Sequence, residues 1–176
     1  MDDEMSGLGR SATAELREVT AALLLGLCSS SDVIALAADL LADGHDSQSL
    51  LALASLYANA SSADVVELSA TVFSEAGDPP LDRDGAEVPL LALRVACRRF
   101  LGGELGLRAF SSWAHNNIGH DGPEVAQPLV EVDDVLDDLY ATRGSTVTPS
   151  PRAGERRFRE EVAQLAAAYL ASTAHS

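Results

Sequence analysis

The chain has 176 residues, 47% of them apolar and 22% charged, with aromatics at only 5%. That composition excludes a disordered or collagen-like chain, and the length suffices for a core without metal or disulfide support. Twenty-seven acids against twelve bases, all arginine, leave a net charge of −15, which disfavours nucleic acid, anionic lipid and acidic substrates as partners.

Residues 1–10 read as a flexible acidic leader without the basic and apolar regions of a signal peptide. Ser11 or Thr13 starts a first helix to about Leu27, with Leu16, Val19, Leu23 and Leu27 on one face. Ser29 to Ser31 interrupt it and cap a second helix, about Asp32 to Asp43, that Gly44 ends. Asp46 or Ser47 opens a third, Gln48 to about Ala58, with Leu50, Leu51, Leu53, Leu56 and Tyr57 inward. Ser61 and Asp64 form a capping-box-like start to a fourth, which Gly77 stops near Ala76. Gly77 to Gly85 is a loop, and Pro89 falls in the first turn of a fifth helix, about Val88 to Leu101. A sixth runs from about Leu105 to Asn117 and carries Phe110 and Trp113. After a polar loop from Gly119 to Gln127, Pro128 opens a seventh helix to about Thr142. Residues 144–154 read as a linker before a last helix, about Glu155 to Ala171, with Phe158, Val162, Leu165 and Tyr169 as its apolar stripe.

No segment reads as strand, and no apolar run reaches the 18 or so residues of a membrane span. The expected fold is all-α: about eight helices in an orthogonal or layered bundle, over a single domain from residue 11 to 176. The second and fourth helices match at an offset of 32 residues. Asp32-Val33 aligns with Asp64-Val65, Leu36 with Leu68, and Leu40-Leu41 with Val72-Phe73. This spacing suggests two tandem helical hairpins in the N-terminal half. Cys28 and Cys97 lie in apolar helical stretches and read as small hydrophobes rather than a disulfide or ligand pair.

No phosphate-cradling glycine loop, nucleophile elbow or CxxC pair is present. No catalytic residue and no cofactor are assigned, and the chain is not expected to be an enzyme. His115, His120 and Asp121 lie close in sequence, but their spacing of five residues and the helix-ending Gly119 separate the two imidazoles. They read as polar helix-end residues, and no metal ligand is assigned. A small metalloenzyme or metal sensor built on them, with His45 and Asp46 joining from elsewhere, is the least favoured of three functional readings.

From Gly119 to Thr142 the sequence has seven acids and no arginine. Asp133-Asp134 and Asp137-Asp138 alternate with Val132, Val135, Leu136 and Leu139, which puts acids on the solvent face of an amphipathic helix. Glu131, Asp133, Asp134, Asp137 and Asp138, with Glu124 nearby, are the expected partner-binding face. Arginines cluster at Arg94, Arg98, Arg99 and Arg108 and again at Arg152, Arg156, Arg157 and Arg159, where pairing with the chain's own acids is the expected use.

The run Asp43-Gly-His-Asp-Ser-Gln-Ser-Leu-Leu-Ala-Leu-Ala-Ser-Leu resembles a pattern in small helical bacterial proteins, actinobacterial ones among them. Downstream follow Arg99-Phe-Leu-Gly-Gly-Glu-Leu105, a short aromatic helix and an acidic amphipathic helix. Proteins of that build resemble immunity proteins, which neutralise a cognate toxin. The likeness spans about residues 30–142 and rests on core leucines, so it transfers no functional residue. With the acidic charge, the missing catalytic motifs and an N-terminus unlike a signal peptide, the expected function is a non-enzymatic protein-binding module, an immunity or antitoxin-like protein in its sharpest version, that meets a basic protein partner in the cytoplasm. A helical adaptor or self-associating scaffold, using an apolar groove between the hairpins, is the alternative.

Overall fold

The computed structural model describes residues 8–141 and 151–173. Among them the chain is all helical, without strands. The order is α1 (Arg10–Leu24), α2 (Ser30–Ala42), α3 (Gln48–Ala54), α4 (Ser62–Glu75), α5 (Glu87–Leu101), α6 (Leu107–Ile118), a 3-10 turn (Glu124–Ala126), α7 (Gln127–Val130), α8 (Val132–Ala141) and α9 (Pro151–Thr173). No helix among the described residues is long and apolar enough to cross a membrane.

Tertiary packing groups the chain into two compact units that divide within α5, one ending at Ala92 and one starting at Leu93. In the first, α2 packs on α1 and α3, and α4 packs on α1 and α3. Apolar burial supplies the driving force: Leu16, Val33, Leu50, Leu53 and Val65 are sealed from solvent, and Val72 and Phe73 nearly so. The two hairpins, α1–α2 and α3–α4, repeat at the expected offset, since α2 starts at Ser30 and α4 at Ser62.

The repeat extends to the caps. The Ser61 hydroxyl accepts from the Asp64 backbone N–H at 3.1 Å. At the matching position the Ser29 backbone N–H donates to the Asp32 carboxylate at 2.7 Å. Each bond satisfies an amide that the start of a helix leaves unpaired. Gly44 and Gly77 end α2 and α4 at positive φ, 92° and 85°, where the following amides reach back to Leu40 and Phe73.

Two residues depart from the sequence reading here. Leu51 is 55% exposed and Tyr57 84% exposed, although both were expected inward. Helix α3 has only seven residues and stops at Ala54, so Tyr57 lies in the following turn and takes no part in a helical stripe. Arg17, not singled out from the sequence, is buried in this unit. Its guanidinium meets both carboxylate oxygens of Glu87 at 3.0 Å, donates to the Pro79 carbonyl and lies 5.1 Å over the Phe73 ring. It thereby ties α1 to the Pro-rich loop and to the first turn of α5.

In the second unit Phe100 of α5 stacks on Phe110 of α6 with ring centroids 4.8 Å apart, and Leu129, Val130, Val132 and Leu136 close the core from α7 and α8. The expected seventh helix is two segments, α7 and α8, that part at Glu131, preceded by a 3-10 turn inside the predicted loop. The last helix begins at Pro151 instead of Glu155, so residues 151–154 are helical; the expected linker residues 144–150 lie outside the described residues. Proline is at home in a first helical turn because its missing N–H would be unpaired there anyway. The buried stripe of α9 is Val162, Ala166 and Tyr169, while Leu165 is exposed. Cys97 is fully buried and Cys28 half-buried, and neither is in a disulfide. Burial pushes the Cys97 thiol up to about 12, against a smaller opposing effect of the Arg98 charge.

Candidate functional site

Three elements of the second unit converge on a small polar cluster: the last turn of α6, the turn after it, and the first turn of α8. Helix α6 holds its apolar face inward with Leu107, Phe110 and Ala114, which leaves His115 at the edge of the core, half-buried. Gly119 then takes φ 68° and ψ 171°, a conformation essentially closed to residues with a Cβ. The chain reverses in a tight turn closed by the Gly122 N–H on the Gly119 carbonyl at 3.2 Å. This reversal brings His120 back over His115, edge to face, with ring centroids 5.1 Å apart.

The turn is held from two sides. The Gln127 side-chain amide donates to the carbonyls of Gly119 at 3.1 Å and Gly122 at 3.0 Å. A Cβ added at Gly122 would sit 2.5 Å from Ile118 Cγ2 and 2.8 Å from the Ile118 carbonyl oxygen, so only glycine lets the turn fold this closely onto α6.

Helix α8 completes the cluster through two adjacent acids with different tasks. Asp133 faces α6: its Oδ1 accepts from the Ser111 hydroxyl at 2.7 Å and from Ser112 at 3.2 Å, and Arg108 stands 3.7 Å away. Its side chain is only 14% exposed, and Ser111 is fully buried. Asp133 is therefore a polar clip between α6 and α8. Asp134, one residue on, reaches the imidazoles: Oδ2 lies 3.4 Å from His120 Nε2, and Oδ1 lies 4.0 Å from His115 Nδ1. One ligand atom from each of His115, His120 and Asp134 falls within 4.8 Å of the others. His115 Nδ1 is out of solvent with no hydrogen-bond partner.

The acids expected to form a partner-binding face are thus in three situations. Asp133 is built into the helix packing. Asp137 takes the Arg108 guanidinium at 2.6 Å yet remains largely exposed, and Asp134 faces the two histidines while also remaining exposed. Glu124, Glu131 and Asp138 are exposed. The expected pairing of arginines with the chain's own acids is realised at Arg108, at Arg99 with Glu104 (3.3 Å) and at Arg157 with Glu161 (3.1 Å).

Sequence reasoning grouped His115 and His120 with Asp121; the structure groups them with Asp134. The reason is the turn: Asp121 follows His120 around it, whereas Asp134 arrives from α8 because Asp133 fixes that helix against α6. Gln127, Ser111 and Ser112 were not anticipated at all. The paired glycines of Gly119-His-Asp-Gly122 are the one signal that could have announced a reversal bringing the two imidazoles together.

Chemically the cluster offers two imidazole nitrogens and a carboxylate at the surface of a fixed turn, beside a segment from Gly119 to Thr142 that carries seven acids and no arginine. No protein-family model, no curated protein and no solved structure matches the chain.

Proposed function

We propose that the protein is a non-enzymatic binding module that meets a basic protein partner through the acidic face running from Glu124 along α8, in the manner of an immunity protein covering a cationic toxin. The observation that carries this reading is the set of exposed carboxylates along Glu124, Glu131, Asp134, Asp137 and Asp138, on a chain of net charge −15. Such a field accelerates encounter with a cation and disfavours anionic competitors. Asp133, which belongs to the sequence-derived face, serves the helix packing and drops out of the contact.

The test pairs the chain with the product of the adjacent reading frame and follows association kinetics across ionic strength. The association rate is expected to fall steeply with salt, and to fall in Glu124→Gln/Glu131→Gln, a variant that leaves Asp134, Asp137 and Asp138 in place. A partner whose association ignores both salt and these substitutions would remove this reading. It would favour the alternative, a helical adaptor or self-associating scaffold, for which the exposed Leu51 and Tyr57 supply an apolar contact that salt hardly screens.

A further inference from the structure

We propose that His115, His120 and Asp134 bind one divalent transition-metal ion of borderline softness, zinc foremost, at the junction of α6, its following turn and α8. Two imidazoles and one carboxylate are the donor set that zinc, cobalt, nickel and copper accept, whereas magnesium and calcium favour all-oxygen sites. Three protein ligands leave at least one coordination position for water or an outside group.

The geometry lies close to what an ion requires. The three ligand atoms stand within 4.8 Å of one another, with 3.4 Å between His120 Nε2 and Asp134 Oδ2. Ligands about 2.1 Å from a tetrahedral zinc are about 3.4 Å apart, so closure needs an ångström or so of side-chain movement. His120 and Asp134 are both more than half exposed and free to supply it.

A second observation points the same way. His115 Nδ1 is a solvent-excluded nitrogen without a hydrogen-bond partner, and the nearest carboxylate oxygen, on Asp134, stops 4.0 Å short. A buried polar atom left unpaired is costly, and a metal ion among the three groups would satisfy it. The frame around it is already set: Gly119 and Gly122 shape the turn, Gln127 clamps it, and Asp133 pins the helix that carries Asp134. The neighbouring cation, Arg108, is already taken up by Asp137, so it adds little repulsion toward an incoming ion.

The test uses the full chain without a purification tag, stripped with a chelator and titrated calorimetrically with Zn2+ and, in parallel, with Co2+ followed by its visible absorption. One saturable equivalent is expected. His115→Gln, His120→Gln and Asp134→Asn should each weaken it by at least roughly tenfold, while Asp121→Asn and His45→Gln leave it unchanged. Circular dichroism checks that each variant keeps its helices. If a ligand variant unfolds, the cobalt spectrum of the wild-type chain decides, because nitrogen ligands displace its bands from those of the aqueous ion. Three results would overturn the proposal: no saturable binding of either ion, equal binding by wild type and the Asp134→Asn chain, or loss of binding in Asp121→Asn or His45→Gln alone. The first would leave the trio as a surface imidazole–carboxylate contact. Asp134 belongs to both readings, but neither readout here involves a protein partner and the partner test leaves Asp134 intact, so failure of this site and failure of the acidic binding face are distinguishable.

Discussion

The hairpins of the first unit and the α6–α8 region of the second are organised by opposite means. In α1–α4 the helices bury their own apolar stripes, α2, α3 and α4 start after a serine, α1, α2 and α4 stop at a glycine of positive φ, and the plan of α2 recurs 32 residues later in α4. In α6–α8 the arrangement depends on polar bonds between groups distant in sequence: Ser111 to Asp133, Arg108 to Asp137, and Gln127 to the Gly119–Gly122 turn. Local rules suffice where apolar periodicity and caps agree. Where a turn is held by groups from several elements, only the assembled structure places those groups.

That contrast can be broken most strongly at Gly122. Alanine there would press on Ile118, whose carbonyl oxygen stands 2.8 Å from the added carbon. Overpacking of this kind costs about 1–3 kcal/mol, measurable as a lower midpoint in urea. It should also displace His120 and weaken metal binding. A Gly122→Ala chain with unchanged stability would show that the turn is looser than its contacts imply.

The buried thiol of the same unit gives a pH test. Its value is about 12 in the folded chain against 9.0 when unperturbed, so only the unfolded state loses the proton as pH rises past 9. Stability from this group is therefore complete below pH 9 and declines between 9 and 12. Between pH 8 and 10 the wild-type chain should lose about 1.4 kcal/mol more than Cys97→Ala, equivalent to one unit of pKa difference. Parallel loss in the two chains would mean that Cys97 reaches solvent.

The smallest effect sharpens the repeat. Ser61→Ala removes the acceptor that holds the Asp64 amide and should cost about 1 kcal/mol. Ser29→Ala should cost less, because the Ser29 backbone N–H keeps its bond to the Asp32 carboxylate. Thermal unfolding of the two variants compares them directly, and equal losses would argue that both caps act through the hydroxyl.

Much of the fold was legible because helix starts, stops and apolar spacing are properties of a few neighbouring residues. The Ser61–Asp64 cap, the ends at Gly44 and Gly77, Pro89 in the first turn of α5 and the offset of 32 between α2 and α4 all follow from such neighbours. Leu51, Tyr57 and Leu165 were misjudged because periodicity names an apolar face without telling whether another helix covers it. The break between α7 and α8 at Glu131 escaped for a related reason: no glycine or proline marks it.

The amino-acid order by itself thus determined an all-helical chain, its surplus of negative charge and the repeated first hairpins, since composition and short-range spacing suffice for these. Only the tertiary structure decided that Asp133 locks two helices while Asp134 turns to His115 and His120. Adjacent helical residues point about 100° apart, so identical side chains face different neighbours, and which neighbours those are is settled by packing.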